Sequence, residues 1–243
     1  MENTKNINIL GYAIITGGLV LSTIIFSTVF YSSRYSSDSL TVTGSASLQV
    51  VSDNAKFTGE FTRIVKVSSL KWGYEQIASD LVKVKSFLKT QGIDEKDITI
   101  STVSMFENYN YNNNIQTEKE YTLRQQVEVS SKDITKITSL AQSAQQLINQ
   151  GVIFSVNPVE YYYSKLPEVR VSLLSDAIKD AMARANKMAE STGMKVGTLK
   201  SASSGVVQVL PSNSLEISDY GTYDTSKINK NIMVTVKASF GLK

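Results

Sequence analysis

Asp176 and Asp180 are the side chains whose type and spacing could carry out acid–base chemistry. They lie four residues apart in a segment with helical periodicity, so both carboxylates should project from one helical face. Paired acids can act as acid and base when their surroundings separate their pKa values. Lys179 and Arg184 fall within the same turns, so these residues also fit an exposed face of ion pairs. A carboxylate-based hydrolase is therefore kept as a third hypothesis.

The sequence contains neither cysteine nor histidine. Thiol nucleophiles, disulfides, triads that use histidine and structural zinc sites are excluded. The formal net charge of +3 is also too small for a nucleic-acid binder, which must neutralise many phosphates. We predict a protein that is not an enzyme, with no catalytic residue, no cofactor and no metal site.

Tyrosines recur around two of the expected strands. Tyr is enriched in protein contacts and can stack on a ligand, but it is also an ordinary strand former. The candidates for contacts in an oligomer are Tyr109, Tyr111, Tyr121, Tyr161 and Tyr163. Contacts between subunits are favoured here over binding of a small molecule.

Residues 9–31 hold no charged residue and no proline. A helix of that length spans ~34 Å, enough to cross the ~30 Å core of a bilayer. The segment is longer than the apolar core of a cleavable signal and lacks a small-residue cleavage site, so we expect an uncleaved signal anchor. A cleaved signal and a buried helix of a soluble core are the alternatives. Gly17, Gly18 and Ser22 form a small-residue patch where two such helices could approach closely.

The anchor divides the chain into four segments. We expect a cytoplasmic N-terminus at 1–8, the membrane span at 9–31, a polar stalk at 32–39 and an extracytoplasmic domain at 40–243. The charges near the span, Lys5 on one side and Arg34 on the other, barely favour this orientation.

The remaining pattern predicts an α+β fold in which antiparallel sheet is covered by helices. Strands are expected at 40–50, 56–65, 98–111, 118–129, 152–163, 195–210 and 232–242, and helices at 69–91, 133–150 and 167–192. The strands at 98–111 and 118–129 should form a long hairpin with an Asn-rich tip. Gly44 and Gly59, inside strands, suggest bulges or bends.

Several segments, in this order, resemble those of SIMPL-domain proteins, a bacterial family that includes the periplasmic immunogenic protein. They are Val42-Thr43-Gly44, Asp53, Ala55, the run GIDEKDITIST at 92–102, Tyr109-Asn110-Tyr111, the strand at 121–129 and the alanine-rich helix from Ala177 to Ala189 before Gly193. The chain departs from the family at Ser52, where proline is frequent, and in its retained anchor.

The resemblance implies an extracytoplasmic α+β domain that assembles into large rings or cage-like oligomers and is linked to oxidative or envelope stress. It implies no catalytic residue. Our leading hypothesis is therefore a membrane-anchored protein that binds copies of itself and the bilayer, with a scaffold or stress-protective role. The alternative is a ligand-binding or sensory module of the cell envelope.

Overall fold

The computed structural model describes residues 3–35, 39–108, 119–214 and 218–243. The order of elements is α1 (Asn3–Tyr35), β1 (Ser39–Val51), β2 (Asn54–Lys66), α2 (Leu70–Thr90), β3 (Ile98–Ile100), β4 (Ser104–Asn108), β5 (Glu120–Ser131), α3 (Ile134–Ser143), α4 (Gln146–Asn149), β6 (Phe154–Val156), β7 (Glu160–Tyr162), α5 (Leu166–Glu190), β8 (Val196–Ser204), β9 (Gln208–Pro211), β10 (Thr222–Tyr223) and β11 (Asn229–Leu242). The predicted α+β class is confirmed.

The chain forms two compact units rather than one. Unit 1 comprises residues 1–45, 174–205 and 235–243, and unit 2 comprises residues 46–173 and 206–234. Each unit combines segments that are distant in sequence. The boundary between the units falls inside β1, α5 and β11, and each of these elements contributes residues to both units. Local sequence patterns do not report such long-range grouping.

Helix α1 is long and apolar enough to cross a membrane over Gly11–Ser33, and none of that span is buried in the structure. Residues 11–33 therefore do not form a buried helix of a soluble core, which was one of the alternatives. The helix continues to Tyr35, so it includes the first residues of the predicted polar stalk at 32–39, which stays a prediction. Ser and Arg do not by themselves end a helix, and no Gly or Pro interrupts these residues.

In unit 1, β1 and β8 both pair with β11, and α5 packs on this sheet through small residues. Ala177, Ala181 and Ala185 are fully buried. A Cβ atom on Gly44 would lie 2.2 Å from the Ala177 carbonyl oxygen and 2.4 Å from the Ala181 nitrogen. Gly44 therefore permits close approach of helix and strand.

Unit 2 is built on a sheet in which β2 pairs with β5 along twelve consecutive residue pairs. Strands β3 and β4 pair with the far side of β5, and β6 and β7 pair with the far side of β2. Helices α2 and α3 cover one face. The core between them includes Phe57, Phe61, Ile77, Leu88, Leu123, Val127, Ile137 and Leu140.

The pairing of β2 with β5 runs through Gly59 without a change of register, so Gly59 marks no bulge. A Cβ atom at Gly59 would lie 2.2 Å from the Phe154 ring. The ring of Phe154 stacks between those of Phe57 and Phe61, with 6.4 Å between centroids in each case. Glycine is thus required by packing, as it is at Gly44.

Residue Arg63 of β2 fixes helix α2 on the sheet. Its guanidinium makes two hydrogen bonds to the buried carboxylate of Asp80, at 2.6 and 2.8 Å. A third bond, of 2.7 Å, reaches the carbonyl oxygen of Gly151, just beyond α4. The bidentate geometry is the strong form of this ion pair.

The predicted strand at 98–111 is interrupted between β3 and β4. The Gln126 N–H donates to the Ser101 side-chain oxygen at 2.9 Å, and the Ser101 carbonyl oxygen accepts from the Gln125 side chain at 2.8 Å. Side chains thus replace one bond of the regular ladder. The Asn-rich tip of this hairpin lies outside the described residues.

Three other predicted elements are also divided. The helix at 133–150 becomes α3 and α4, the strand at 152–163 becomes β6 and β7, and the strand at 195–210 becomes β8 and β9. Asp133 caps α3, since its carboxylate accepts from the Lys136 N–H at 2.9 Å.

Candidate interaction surface

The carboxylates of Asp176 and Asp180 have separate partners. Asp176 pairs with Lys179 at 2.9 Å. Asp180 accepts from the Ser45 N–H and from the Arg184 side chain, each at 2.8 Å. The Ser45 bond is the main cause that lowers the Asp180 pKa, with Arg184 adding to it against a smaller opposing effect of desolvation. A carboxylate held ionised in this way is a poor general acid.

Candidate metal ligands are also dispersed. Among the residues that the structure describes, no group of three or more acidic side chains could hold a metal ion.

The clearest open feature of unit 1 is the pair of sheet edges formed by β1 and β8. Among the described strands, each pairs with β11 alone, so each has one edge without a neighbouring strand. Residues 198–204 of β8 are all exposed and mostly small and polar. An unpaired edge offers backbone donors and acceptors to another strand.

A row of hydroxyl side chains crosses this sheet. Thr41 of β1 hydrogen-bonds to Ser239 of β11 at 3.3 Å, and Ser239 is paired in register with Ser201 of β8. Thr41 and Ser201 therefore lie on opposite sides of the same central strand.

Asp180 covers part of the β1 edge. The Ser45 N–H bonds to the Asp180 carboxylate instead of to a strand. Beside it, an open cavity of about 510 Å³ is lined by residues of β1 and α5 that include Val42, Thr43 and Met188.

The five candidate tyrosines have different positions. Tyr109 and Tyr111 lie outside the described residues. Tyr161 is buried in the core of unit 2, with its hydroxyl 3.1 Å from that of Thr138, so its assignment as a subunit contact is corrected. Tyr121 and Tyr163 are half-buried, and for them a subunit contact stays a prediction.

Sequence reasoning missed an aromatic pair on the surface of unit 2. The rings of Tyr162 and Tyr223 lie 6.0 Å apart. The Lys56 ammonium lies 5.8 Å from the Tyr162 ring centroid and 2.5 Å from Glu160. Burial is the first cause that raises the Tyr162 pKa, and the Glu160 charge adds to it. Tyr223 follows a short polar loop and has no sequence pattern of its own.

Sequence reasoning also missed Lys230, whose side chain is fully buried. Its ammonium donates to the carbonyl oxygens of Asp224 and Lys227, the latter at 2.8 Å. Burial lowers the Lys230 pKa, and the Asp224 charge opposes that shift. A usable signal exists, because Lys230 is in phase with Ile232 and Val234 on the inward side of β11.

The three small residues predicted as a helix contact, Gly17, Gly18 and Ser22, do not all lie on one face of α1. At 100° per residue, Gly18 and Ser22 lie within about 40° of each other, whereas Gly17 lies about 100° from Gly18. Gly11 shares the Gly18 face instead. No atom approaches within 4 Å of a Cβ built on any of these three glycines.

The chain matches the model of the SIMPL family, described as proteins of unknown function (DUF541), over residues 40–240. The match covers the greater part of the chain, so this protein belongs to the SIMPL family. The chain is also similar to the uncharacterized protein YggE of Edwardsiella ictaluri, with 25% identity over 159 residues. That segment is 65% of this chain and 64% of the length of the relative.

Proposed function

We propose that this protein is a membrane-anchored scaffold of the cell envelope whose SIMPL domains assemble side by side. Residues 40–243 would lie on the extracytoplasmic side, and α1 would remain as the anchor. The role would be structural or protective, including protection under oxidative stress, and not enzymatic.

The observation that carries the proposal is the pair of unpaired edges on the sheet of unit 1. Joining β8 of one copy to β1 of the next uses two different edges, so each added copy presents a new free edge. Such a head-to-tail contact gives a ring if the rotation between copies closes. The carboxylates of the described residues are dispersed, and the sequence has no histidine or cysteine. These residues therefore do not favour a catalytic role over the structural one.

Paired cysteines test this contact in a chain that has none of its own. Within one copy, Thr41 and Ser201 are separated by two strand spacings, about 9.6 Å. That is beyond the ~7 Å limit between Cα atoms for a disulfide. Any disulfide between cysteines at these positions must therefore join two copies.

We expect the double variant Thr41→Cys/Ser201→Cys to give a ladder of crosslinked species after mild oxidation in native membranes. Variants with cysteine at position 39 or 43 instead of 41 allow for a shifted register. Each single variant should stop at the dimer, and Lys71→Cys with Ser201→Cys controls for random collision. A monomeric mass in detergent micelles, with no ladder in any register, would contradict the proposal.

A second candidate function is a ligand-binding module, favoured by the Tyr162 and Tyr223 rings beside Lys56. Two rings near a cation suit a ligand with a flat or sugar-like face and an anionic group. A panel of envelope glycans and anionic metabolites should then raise the melting temperature of the wild type but not of Tyr162→Ala. No shift across the panel would remove this candidate.

A further inference from the structure

We propose that the groove between α2 and β3 in unit 2 binds an extended acidic segment of a partner protein, which adds a strand to the free edge of β3. This surface belongs to unit 2, so the inference is independent of the assembly proposed through unit 1.

The backbone of β3 has groups available for such a strand. The Ser101 N–H donates to the Gln126 carbonyl oxygen at 3.0 Å, which makes these two residues a hydrogen-bonded pair. Bonded and non-bonded pairs alternate in an antiparallel ladder. Ile98 and Ile100, opposite Val129 and Val127, are therefore in non-bonded pairs, and their backbone groups point away from β5.

One of those groups is already in use, since the Ile98 N–H bonds to the Glu95 carbonyl oxygen. The Ile98 carbonyl and both backbone groups of Ile100 remain, and no bond within the described chain takes them up. A donor and two acceptors on an open edge are the elements that bind a peptide by strand addition.

The groove beside this edge has an apolar floor. The side chains of Ile98 and Ile100 share a sheet face with the buried Val127 and Val129, and so they point toward α2. A cavity of about 530 Å³ is lined by Ile93, Ile98 and Ile100 together with Ser86 and Lys89 of α2. This volume is within the usual range for binding pockets. Every second side chain of an added strand would enter the cavity.

Four charged side chains line the cavity: the lysines Lys85 and Lys89, and the acids Asp94 and Glu95 at its end. The two acids at its end have basic neighbours, with Asp94 at 3.5 Å from Lys96 and Glu95 at 3.9 Å from Lys85. Lys89 has no carboxylate within 4 Å among the described residues. An acidic side chain that faces α2 would meet this lysine.

The size of the edge favours a peptide over a second folded copy. Three residues of strand span about 10 Å, whereas a stable interface between folded proteins buries about 800 Å² on each side. A flexible segment can instead bind along the groove and follow its floor.

The test measures binding of a fluorescein-labelled, acetylated eight-residue peptide of alternating Glu and Val to the full chain in dodecyl maltoside micelles. We expect saturable binding that weakens by about tenfold or more in Lys89→Glu, because the charge facing the peptide is reversed. Lys71→Glu is the matched control, since Lys71 is exposed on the first turn of the same helix, and its affinity should stay within about twofold of wild type.

Two further probes test the backbone contact on the unaltered protein. Two further copies of the acidic peptide are N-methylated at alternate residues, one at the odd and one at the even positions. One of the two should lose binding, because its methyl groups remove the N–H donors that face β3. A peptide of alternating Lys and Val should bind at least about tenfold more weakly than the acidic one. Equal binding of all these peptides, or no binding of the acidic one, would overturn the proposal. So would a change in oligomer mass in Lys89→Glu, which would show a second copy in the groove.

Discussion

At the scale of single residues, Asp180 illustrates how a candidate catalytic group can have a structural role. Sequence spacing correctly places it beside Arg184, since this relation is local to one helix. Its bond to the Ser45 N–H spans 135 residues and could not be read from that spacing. The sequence indicated the residue type of Asp180 and its neighbours on the helix. It did not indicate the contact with strand β1.

The lowered pKa of Asp180 gives a prediction with a definite sign. A carboxyl group whose pKa is lower in the folded than in the unfolded state stabilises the fold above its unfolded pKa. This stabilisation is lost as the pH falls through the folded pKa. Asp180→Asn should therefore lower the midpoint of thermal unfolding at neutral pH, and the difference from wild type should shrink below about pH 5.

The measurement is a series of melting curves between neutral and acidic pH. Asp176→Asn is the control, because Asp176 is in an exposed pair with Lys179 and should show little effect at any pH. A difference for Asp180→Asn that stays constant down to the lowest pH would contradict the role of its charge.

At the scale of elements, Lys230 organises the connection between β10 and β11. Its ammonium binds two carbonyl oxygens of the loop at Asp224 and Lys227. The same loop meets β7, where the Thr225 carbonyl oxygen accepts from the Tyr161 N–H at 2.8 Å. The Tyr223 hydroxyl accepts from the Tyr163 N–H at 3.0 Å. One buried cation thus sets the position of the loop that presents the surface tyrosines.

We predict that Lys230→Met destabilises the protein by about 3 kcal/mol, because two carbonyl oxygens lose their donor in a buried site. Lys227→Met should be nearly neutral, since the side chain of Lys227 is exposed and only its carbonyl binds Lys230. Denaturant unfolding measures both values. Amide exchange at Tyr161 and Tyr163 should also accelerate in Lys230→Met, and unchanged protection there would contradict the role of the loop.

The boundaries of elements show how far sequence patterns reach. The long apolar stripes predicted α2 and α5, and the alternating strands predicted β2 and β5, because these elements present one side to the core along their whole length. The interruption between β3 and β4 depends on the side chains of Ser101 and Gln125, which exchange bonds with a neighbouring strand. Replacement of a backbone hydrogen bond by side-chain bonds leaves no periodic signal in the sequence.

The apolar helix α1 and the free sheet edges differ in how far the sequence predicts them. The span at 9–31 follows from length and composition, and the structure has a helix there. The free edges of β1 and β8 depend on which strands pair across the chain, and therefore could not be assigned from the sequence. Local patterns likewise did not reveal the division into two units.

If copies assemble in the membrane, the small face of α1 should contribute to their contact. We predict that Gly18→Leu lowers the yield of the crosslinked ladder from cysteines at positions 41 and 201, because a bulky side chain separates close helices. Val20→Leu is the control, since it lies about 200° away around the helix. An equal ladder in both variants would show that α1 serves only as a membrane attachment.

The short distance along the chain from α1 to β1 limits where assembly can occur. From Tyr35 to Ser39 there are four Cα steps, so the start of β1 can lie no more than about 15 Å from the end of the helix. If α1 holds several copies in one bilayer, their β1 edges would therefore lie within a thin layer parallel to the membrane plane. Their encounters would be two-dimensional, with a raised effective concentration and a restricted set of orientations. An edge too weak to bind a freely diffusing copy could still bind a neighbour there.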